Sequence, residues 1–429
     1  MDRIEVRGTK SFRGELTPPP DKSISHRAVI FSSLADGTGV VRNFLRAKDT
    51  ESSMHAFRAL GTDITDEQDT LVIKGRGLHG LSEARDVIDC GNSGTTIRLI
   101  SGVLSGNPFF SVLTGDESLR SRPMARVIKP LTRMGATIIG RDDNRYPPLA
   151  IRGGRLAPLS YEMPMASAQV KSALLLAGLY ADGLTEITEP ARSRDHTERM
   201  LPAFGAALTV DGLKVSIQGG RPLTPVDIVV PGDFSSAAFF LVAALVVPGA
   251  EVYIRNVGMN PTRTGLLDVL GAMGARIKTE NVREVSGEPV ADLYCTGGSE
   301  LRAVDIGGAT VPSLIDEFPV LCVAAALADG VTTIRGAEEL RVKESDRISA
   351  IAAELRKMGA VIEEFPDGLS IRGAEALLPA EVDSHGDHRI AMAMAVAGLT
   401  TQGVTVINGA SAVDISFPGF FGLLRKFSA

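Results

Sequence analysis

The chain has 429 residues, 44% of them apolar, with no Trp, 45 Gly and a formal net charge of −6. That length exceeds one ordinary core and calls for two domains, and the acidic balance excludes broad nucleic-acid binding, which needs a basic face to release counterions. Cys90, Cys295 and Cys322 lie far apart without CxxC spacing, so neither a disulfide framework nor a zinc site is indicated. The start "MDRIEVRG" carries no apolar signal region, and the longest apolar run, "AAFFLVAALVV", is too short to span a bilayer. A cytoplasmic protein without membrane partners is expected.

The first predicted helix begins in "PPPDKSISHRAVIFSSLADG", residues 18 to 37, where Lys22, Ser23, His26 and Arg27 open an otherwise apolar helix. A helix N-terminus already presents unpaired N–H groups and the positive end of a dipole, so cations there call for an anion. On this stretch alone, a solvated first turn fits equally well. The helix end and its following strand, "SSLADGTGVVRNF", then return five times, as "ISGVLSGNPFFSVL", "LAGLYADGLTEIT", "LVAALVVPGAEVYIRNV", "CVAAALADGVTTIRG" and "MAVAGLTTQGVTVING". Between them come "LGTDI", "MGATI", "FGAAL", "MGARI" and "MGAVI". A spacing of roughly 70 to 85 residues makes each copy a folding unit, three to a domain. Gly after the first helix of each copy is expected to supply a left-handed cap. Helices such as "KSALLLAGLYA" are apolar nearly all round, which places helices inside and strands outside. Prolines before helix N-caps in "GELTPPPDKS" and "VDIVVPGDFSS" mark two crossings. The expected domains are 21–230, and 1–20 plus 231–429, with a site in the cleft between them.

Further along the chain, "GRGLHG" at Gly75 to Gly80 matches GxGxxG but runs quickly into another strand pattern, so a dinucleotide fold is not supported. In "DVIDCGNSGTTIRL" a strand enters a Gly-Asn-Ser-Gly turn and a helix, where Asn92, Gly94 and Thr95 can offer donors to a phosphate, with Arg98 beyond. "LRSRPMARV" sets Arg120 and Arg122 before Pro123, expected as a first helical residue. "SLIDEFPVL" places Asp316 just before an apolar helix. "ELRVKESDRI" puts Lys343 and Arg347 four apart, expected on one helical face with Glu344 beside them, and an exposed salt-bridged face is an equal reading. "HGDHRIAMAMAV" opens a small-residue helix with His388 and Arg389, Asp387 serving as N-cap. Lys22, Arg27, Arg122 and Arg194 from one half, and Lys343, Arg347 and Arg389 from the other, suit small substrates rich in phosphate and carboxylate. Asp316 and Glu344 are the candidate acid and base.

These motifs, in this order, make the chain resemble the 5-enolpyruvylshikimate-3-phosphate (EPSP) synthase family over essentially its whole length. The resemblance implies an α/β fold, a two-domain inside-out α/β barrel whose domains each hold three βαβαββ repeats around buried helices. It also implies transfer of the enolpyruvyl group of phosphoenolpyruvate to the 5-hydroxyl of shikimate 3-phosphate, without metal or cofactor. By the family pattern, Lys22, Ser23, Arg27, Ser167, the Ala168 position, Gln169, Arg194, Asp316 and Lys343 hold shikimate 3-phosphate. Lys22, Asn92, Gly94, Arg122, Gln169, Arg347, His388 and Arg389 match the phosphoenolpyruvate side. Asp316 matches the carboxylate that takes the 5-hydroxyl proton, Glu344 the one near the methylene carbon, and Lys22 joins them in catalysis. The herbicide glyphosate, which shares phosphoenolpyruvate's anionic ends, is an expected inhibitor, and space beside Gly94 is expected to admit it. A monomer is expected.

The chain departs from the commoner pattern at Ala168, where many relatives have a second Ser, at Glu339, where many have Asn, and at Ile415, where many bacterial enzymes carry Lys. With "RPMARV" and "MASAQVKS" this looks like the second bacterial subclass. Two rivals are a related transferase acting on a UDP-amino sugar, which uses a reactive loop Cys, and a non-catalytic two-domain anion-binding protein.

Overall fold

Each copy of the repeated phrase folds the same way because its first helix has no polar face to show to water. In the computed structural model, which describes residues 2–68, 70–298 and 300–428, six such helices recur, labelled here α1 (Lys22–Leu34), α2 (Gly94–Ser105), α3 (Ala168–Gly178), α4 (Phe234–Val246), α5 (Phe318–Ala326) and α6 (His388–Leu399). In α4, every residue from Phe234 to Leu245 is buried. Enclosure on all sides is worth about 1.5–3 kcal/mol for each large apolar side chain relative to exposure, which outweighs the modest helix propensity of Phe and Val.

The chain divides into two compact units, one formed by Pro20–Val230 with Val285–Glu288, the other by Met1–Pro19, Pro231–Glu284 and Pro289–Ala429. The breaks at Pro19/Pro20 and Val230/Pro231 fall in the two proline-bearing stretches, each followed by an aspartate N-cap, Asp21 for α1 and Asp233 for α4. Val285–Glu288 is the turn between strands Ile277–Val285 and Glu288–Thr296. It joins the first unit through the Val229 N–H, which donates to Ser286 Oγ at 2.9 Å, and through His196, whose Nδ1 is 2.7 Å from Glu288 Oε1.

The first unit carries three four-stranded sheets of one pattern. In the second of them, Ile88–Asp89 runs parallel to Phe110–Thr114, which pairs antiparallel with Tyr146–Arg152, and that strand with Thr137–Gly140. With α2 and the second helix Ala125–Met134, this is a βαβαββ unit. The sheet around Asp36–Arg42 takes its parallel edge from Ile228–Val229, at the far end of that unit's chain. The second unit repeats the pattern in two four-stranded sheets, and in a three-stranded one where Arg3–Arg7 pairs antiparallel with Val404–Asn408.

Two glycines set local geometry. An added Cβ on Gly102 of α2 would lie 2.1 Å from the Ala173 carbonyl oxygen of α3, so only glycine allows this close helix contact. Gly135, with φ +115°, caps Ala125–Met134 in the left-handed region. The expectation of left-handed caps on the first helices is thereby corrected: α1 and α4 end in extended residues, Ala35 and Val247, and α2 ends in Gly106 at φ −89°. Left-handed glycines follow both helices of a unit: Gly37, Gly183, Gly249 and Gly330 lie a few residues past first helices, and Gly135, Gly274 and Gly359 in the "MGA" turns after second helices. The "GRGLHG" stretch leaves strand Thr70–Arg76 and reaches strand Ile88–Asp89 with no helix between. Among the described residues, no helix is long and apolar enough to cross a membrane.

Candidate active site

In the first unit, Asp21 accepts from the Ile24 N–H at 2.9 Å and so starts α1 with Lys22 and Ser23 at its mouth. Lys22 Nζ meets Asp49 Oδ2 at 2.8 Å. One turn on, Arg27 is buried, and its guanidinium donates three hydrogen bonds to neutral groups. Nε donates to Thr197 Oγ1 at 2.7 Å, Nη2 to Ser172 Oγ at 2.8 Å and Nη1 to the Ser23 carbonyl at 3.0 Å. Burial pulls its pKa down to about 10, against the opposing fields of Glu198 and Asp21. Arg194 lies near enough to repel it. Two cations thus stand in the first turns of one helix, Lys22 paired with Asp49 and Arg27 desolvated, an arrangement suited by charge to an anion.

The second cluster is built on the start of α2. Ser93 caps it, accepting from the Thr96 N–H at 3.2 Å, and Gly94 follows as its first residue. Asn92 Oδ1 accepts from Arg122 Nη2 at 2.6 Å, while its amide donates to Asp116 Oδ2 at 2.7 Å. Arg98 donates to Gln169 Oε1, and Gln169 Nε2 donates to Thr95 Oγ1 at 2.9 Å. A Cβ added at Gly94 would sit 3.2 Å from Nη1 of both Arg122 and Arg98. The space expected beside Gly94 is therefore flanked by two guanidiniums. Ser167 caps α3, accepting from Val170 N–H, and Ala168 is its first residue. Pro123 is not a first helical residue: the Glu117–Ser121 helix ends at Arg122, and the next begins at Ala125 behind Met124. That break leaves the Arg122 side chain directed back to Asn92.

In the second unit, Arg347 is the hub. Its Nε donates to Asp387 Oδ2 at 2.7 Å, Nη1 to Asp316 Oδ1 at 3.1 Å and Nη2 to Glu344 Oε2 at 2.7 Å. Burial alone would lower its pKa, but the three carboxylates outweigh this and hold it above the usual arginine range. Arg389 holds Asp316 from the other side, Nη1 donating to the Asp316 carbonyl at 3.0 Å and Nη2 lying 3.4 Å from Oδ2. Asp387 caps α6 through the Arg389 N–H at 2.9 Å. Lys343 Nζ lies 3.9 Å from Glu339 Oε1, and desolvation lowers its pKa against the pull of Glu339, Asp316 and Glu344. His388 is 1% exposed in its side chain, with Nδ1 3.8 Å from Asp387 Oδ1.

Lys343 and Arg347 do not share a helical face. Lys343 is an extended residue after the short helix Glu338–Val342, and Arg347 is the first residue of a new helix capped by Asp346. The Asp346 side chain accepts from the Ser349 N–H at 3.1 Å, which resets the helix and turns Arg347 inward. Sequence reasoning also missed Asp49 as the partner of Lys22 and Asp387 as a partner of Arg347, separations of 27 and 40 residues with no local signal. His26, one of the charges noted at the start of α1, is buried and neutral, its pKa pulled down to about 3 by burial. Its Nδ1 is 2.8 Å from Ser53 Oγ, and Ser53 is 2.7 Å from Thr96 Oγ1, tying α1 to α2.

A pH effect follows from His26. An unfolded histidine titrates near pH 6.5, so between that value and about pH 3 only the unfolded chain binds this proton. Stability contributed by the neutral ring is present above pH 6.5 and lost on acidification through this window, at up to about 1.4 kcal/mol per pH unit. Urea unfolding at pH 7 and pH 5 is expected to show a smaller loss in His26→Gln than in the wild type; equal losses would remove His26 as a contributor.

Residues 6–424 match the family model described as EPSP synthase (3-phosphoshikimate 1-carboxyvinyltransferase). A curated 3-phosphoshikimate 1-carboxyvinyltransferase of Geobacter sulfurreducens is 57% identical over 426 residues, covering 99% of each chain. The chain belongs to the EPSP synthase family. A relative of the same name from Thermodesulfovibrio yellowstonii is 53% identical, again over 99% of each chain. The solved EPSP synthase of Acinetobacter baumannii superposes with a TM-score of 0.88 at 45% identity, covering 100% of this chain and 98% of that one. The fold is accordingly the two-domain inside-out α/β fold of EPSP synthases. Cys90, Cys295 and Cys322 are all buried, and burial pushes the Cys295 thiol up to about 12 and the other two higher still, so no reactive-thiol transferase is favoured over an EPSP synthase.

Proposed function

We propose that the chain transfers the enolpyruvyl group of phosphoenolpyruvate to the 5-hydroxyl of shikimate 3-phosphate, releasing phosphate, in aromatic amino acid biosynthesis. The observation that carries this reading is a pair of carboxylates, Asp316 and Glu344, held by one buried guanidinium at 3.1 and 2.7 Å. An anion-binding protein needs the cations but has no use for that pair. In the proposed course, Glu344 protonates the methylene carbon and Asp316 takes the 5-hydroxyl proton as its oxygen attacks C2, giving a tetrahedral adduct. Removal of a methyl proton then re-forms the double bond as the C2–O bond to phosphate breaks, the charge being stabilised by Lys22, Arg122 and Arg389. Ser23, Arg27, Ser167, Gln169, Arg194 and Lys343 are assigned to shikimate 3-phosphate. Asn92, the Gly94 turn, Arg347 and His388 are assigned to phosphoenolpyruvate.

Incubation with both substrates should release phosphate stoichiometrically with product, and neither alone should do so. Binding of both without release would leave only the anion-binding reading. We further assign a monomer, since one chain carries both residue sets, working in the cytoplasm and inhibited by glyphosate in competition with phosphoenolpyruvate. Gly94→Ala is expected to raise the glyphosate inhibition constant by a larger factor than the phosphoenolpyruvate KM. The methyl presses on two guanidiniums at 3.2 Å, and the longer ligand tolerates their displacement least, at about 1–3 kcal/mol. Equal factors would reduce Gly94 to a general phosphate-loop glycine.

A further inference from the structure

Two residues beyond Gln169 on α3, Lys171 is buried to 1% exposure with its ammonium 2.6 Å from Glu189 Oε2 and 2.5 Å from Glu198 Oε1. Such an ion cluster is costly to desolvate, and an apolar replacement of similar volume is often as stable, so stability alone gives a weak reason for it. Its place in the chain gives a better one. Glu189 also accepts from the Ser193 hydroxyl and from the Ser193 N–H at 3.4 Å, closing the loop that leads into Arg194. Glu198 lies in the helix His196–Met200 that leaves it, beside Thr197, the acceptor for Arg27. Arg194 is thus bracketed on both sides by residues tied to one ammonium. Ser172, next to Lys171, is 2.7 Å from Thr197 and completes the seam between α3 and this segment.

We propose that Lys171 is a positioning residue that holds the Glu189–Glu198 segment against α3, placing Arg194 and so setting affinity for the phosphate of the phosphorylated substrate. The inference rests on the assignment of Arg194 to shikimate 3-phosphate above. Fixing a guanidinium in advance removes an ordering cost from binding, and the effect is confined to ligands that carry the phosphate.

The test compares calorimetric binding of shikimate 3-phosphate and of unphosphorylated shikimate to the wild type, Ser193→Ala, and Lys171→Met combined with Glu198→Gln, which leaves one carboxylate unpaired instead of two. Ser193→Ala keeps the buried ions and guards against a charge variant that fails to fold. Expected are a several-fold loss of shikimate 3-phosphate affinity in Ser193→Ala, tenfold or more in the double variant, and little change for shikimate. The phosphoenolpyruvate KM at saturating shikimate 3-phosphate should stay within about twofold. Folded variants that bind shikimate 3-phosphate like the wild type, or lose both ligands equally, would overturn the positioning role. A wild type that does not bind shikimate 3-phosphate would overturn the reading of the site, and this inference with it.

Discussion

Asp316→Asn is expected to cut turnover by roughly 10²–10⁴, the usual worth of a positioned proton acceptor, while shikimate 3-phosphate binding stays within about tenfold. The structure explains why asparagine is the substitution to use. Asp316 is held between Arg347 Nη1 at 3.1 Å and Arg389 Nη2 at 3.4 Å, and an amide oxygen can still accept from one of them. Arg347 keeps Asp387 and Glu344, both at 2.7 Å, and Arg389 keeps the Asp316 carbonyl at 3.0 Å. The measurement is a kcat and KM determination alongside direct binding. Near-normal turnover would remove Asp316 from proton transfer.

Arg27→Met should separate binding from stability. Truncating one partner of a desolvated charge contact costs about 2–5 kcal/mol, or roughly thirty-fold to several-thousand-fold in affinity, and that loss is expected for shikimate 3-phosphate. Without ligand the balance is reversed. The guanidinium is buried against neutral oxygens with its charge destabilised by burial, and the Ser172 and Thr197 hydroxyls it would abandon already lie 2.7 Å apart. The ligand-free Tm should therefore hold or rise. A large fall in Tm with unchanged shikimate 3-phosphate affinity would make Arg27 a structural residue.

Much of the site was legible because its cues are local. The capping aspartates Asp21, Asp233 and Asp387 stand next to the helices they start, and a cap acts within three residues. The same cues misled where two short elements abut. Lys343 and Arg347 have the spacing of one helical face, yet one helix ends at Val342, just before Lys343, and Asp346 begins the next at Arg347. Pro123 has the chemistry of a first helical residue, yet Met124 takes the cap position.

By itself, then, the sequence determined the repeated helix-and-strand phrase, the buried helices and the residue types at their starts, because apolar periodicity and caps operate over a few residues. Only the tertiary structure decided which charges meet. Lys22 finds Asp49 across 27 residues, Arg347 finds Asp387 across 40, and Arg27 finds Thr197 across 170. Lys171 reads in sequence as an ordinary polar break in an apolar helix, and its role exists only where Glu189 and Glu198 are folded onto it. The physical reason is range. Backbone propensity is settled between near neighbours, whereas a buried charge is settled by whichever partner packing brings within hydrogen-bond distance, and spacing along the chain carries no record of that partner.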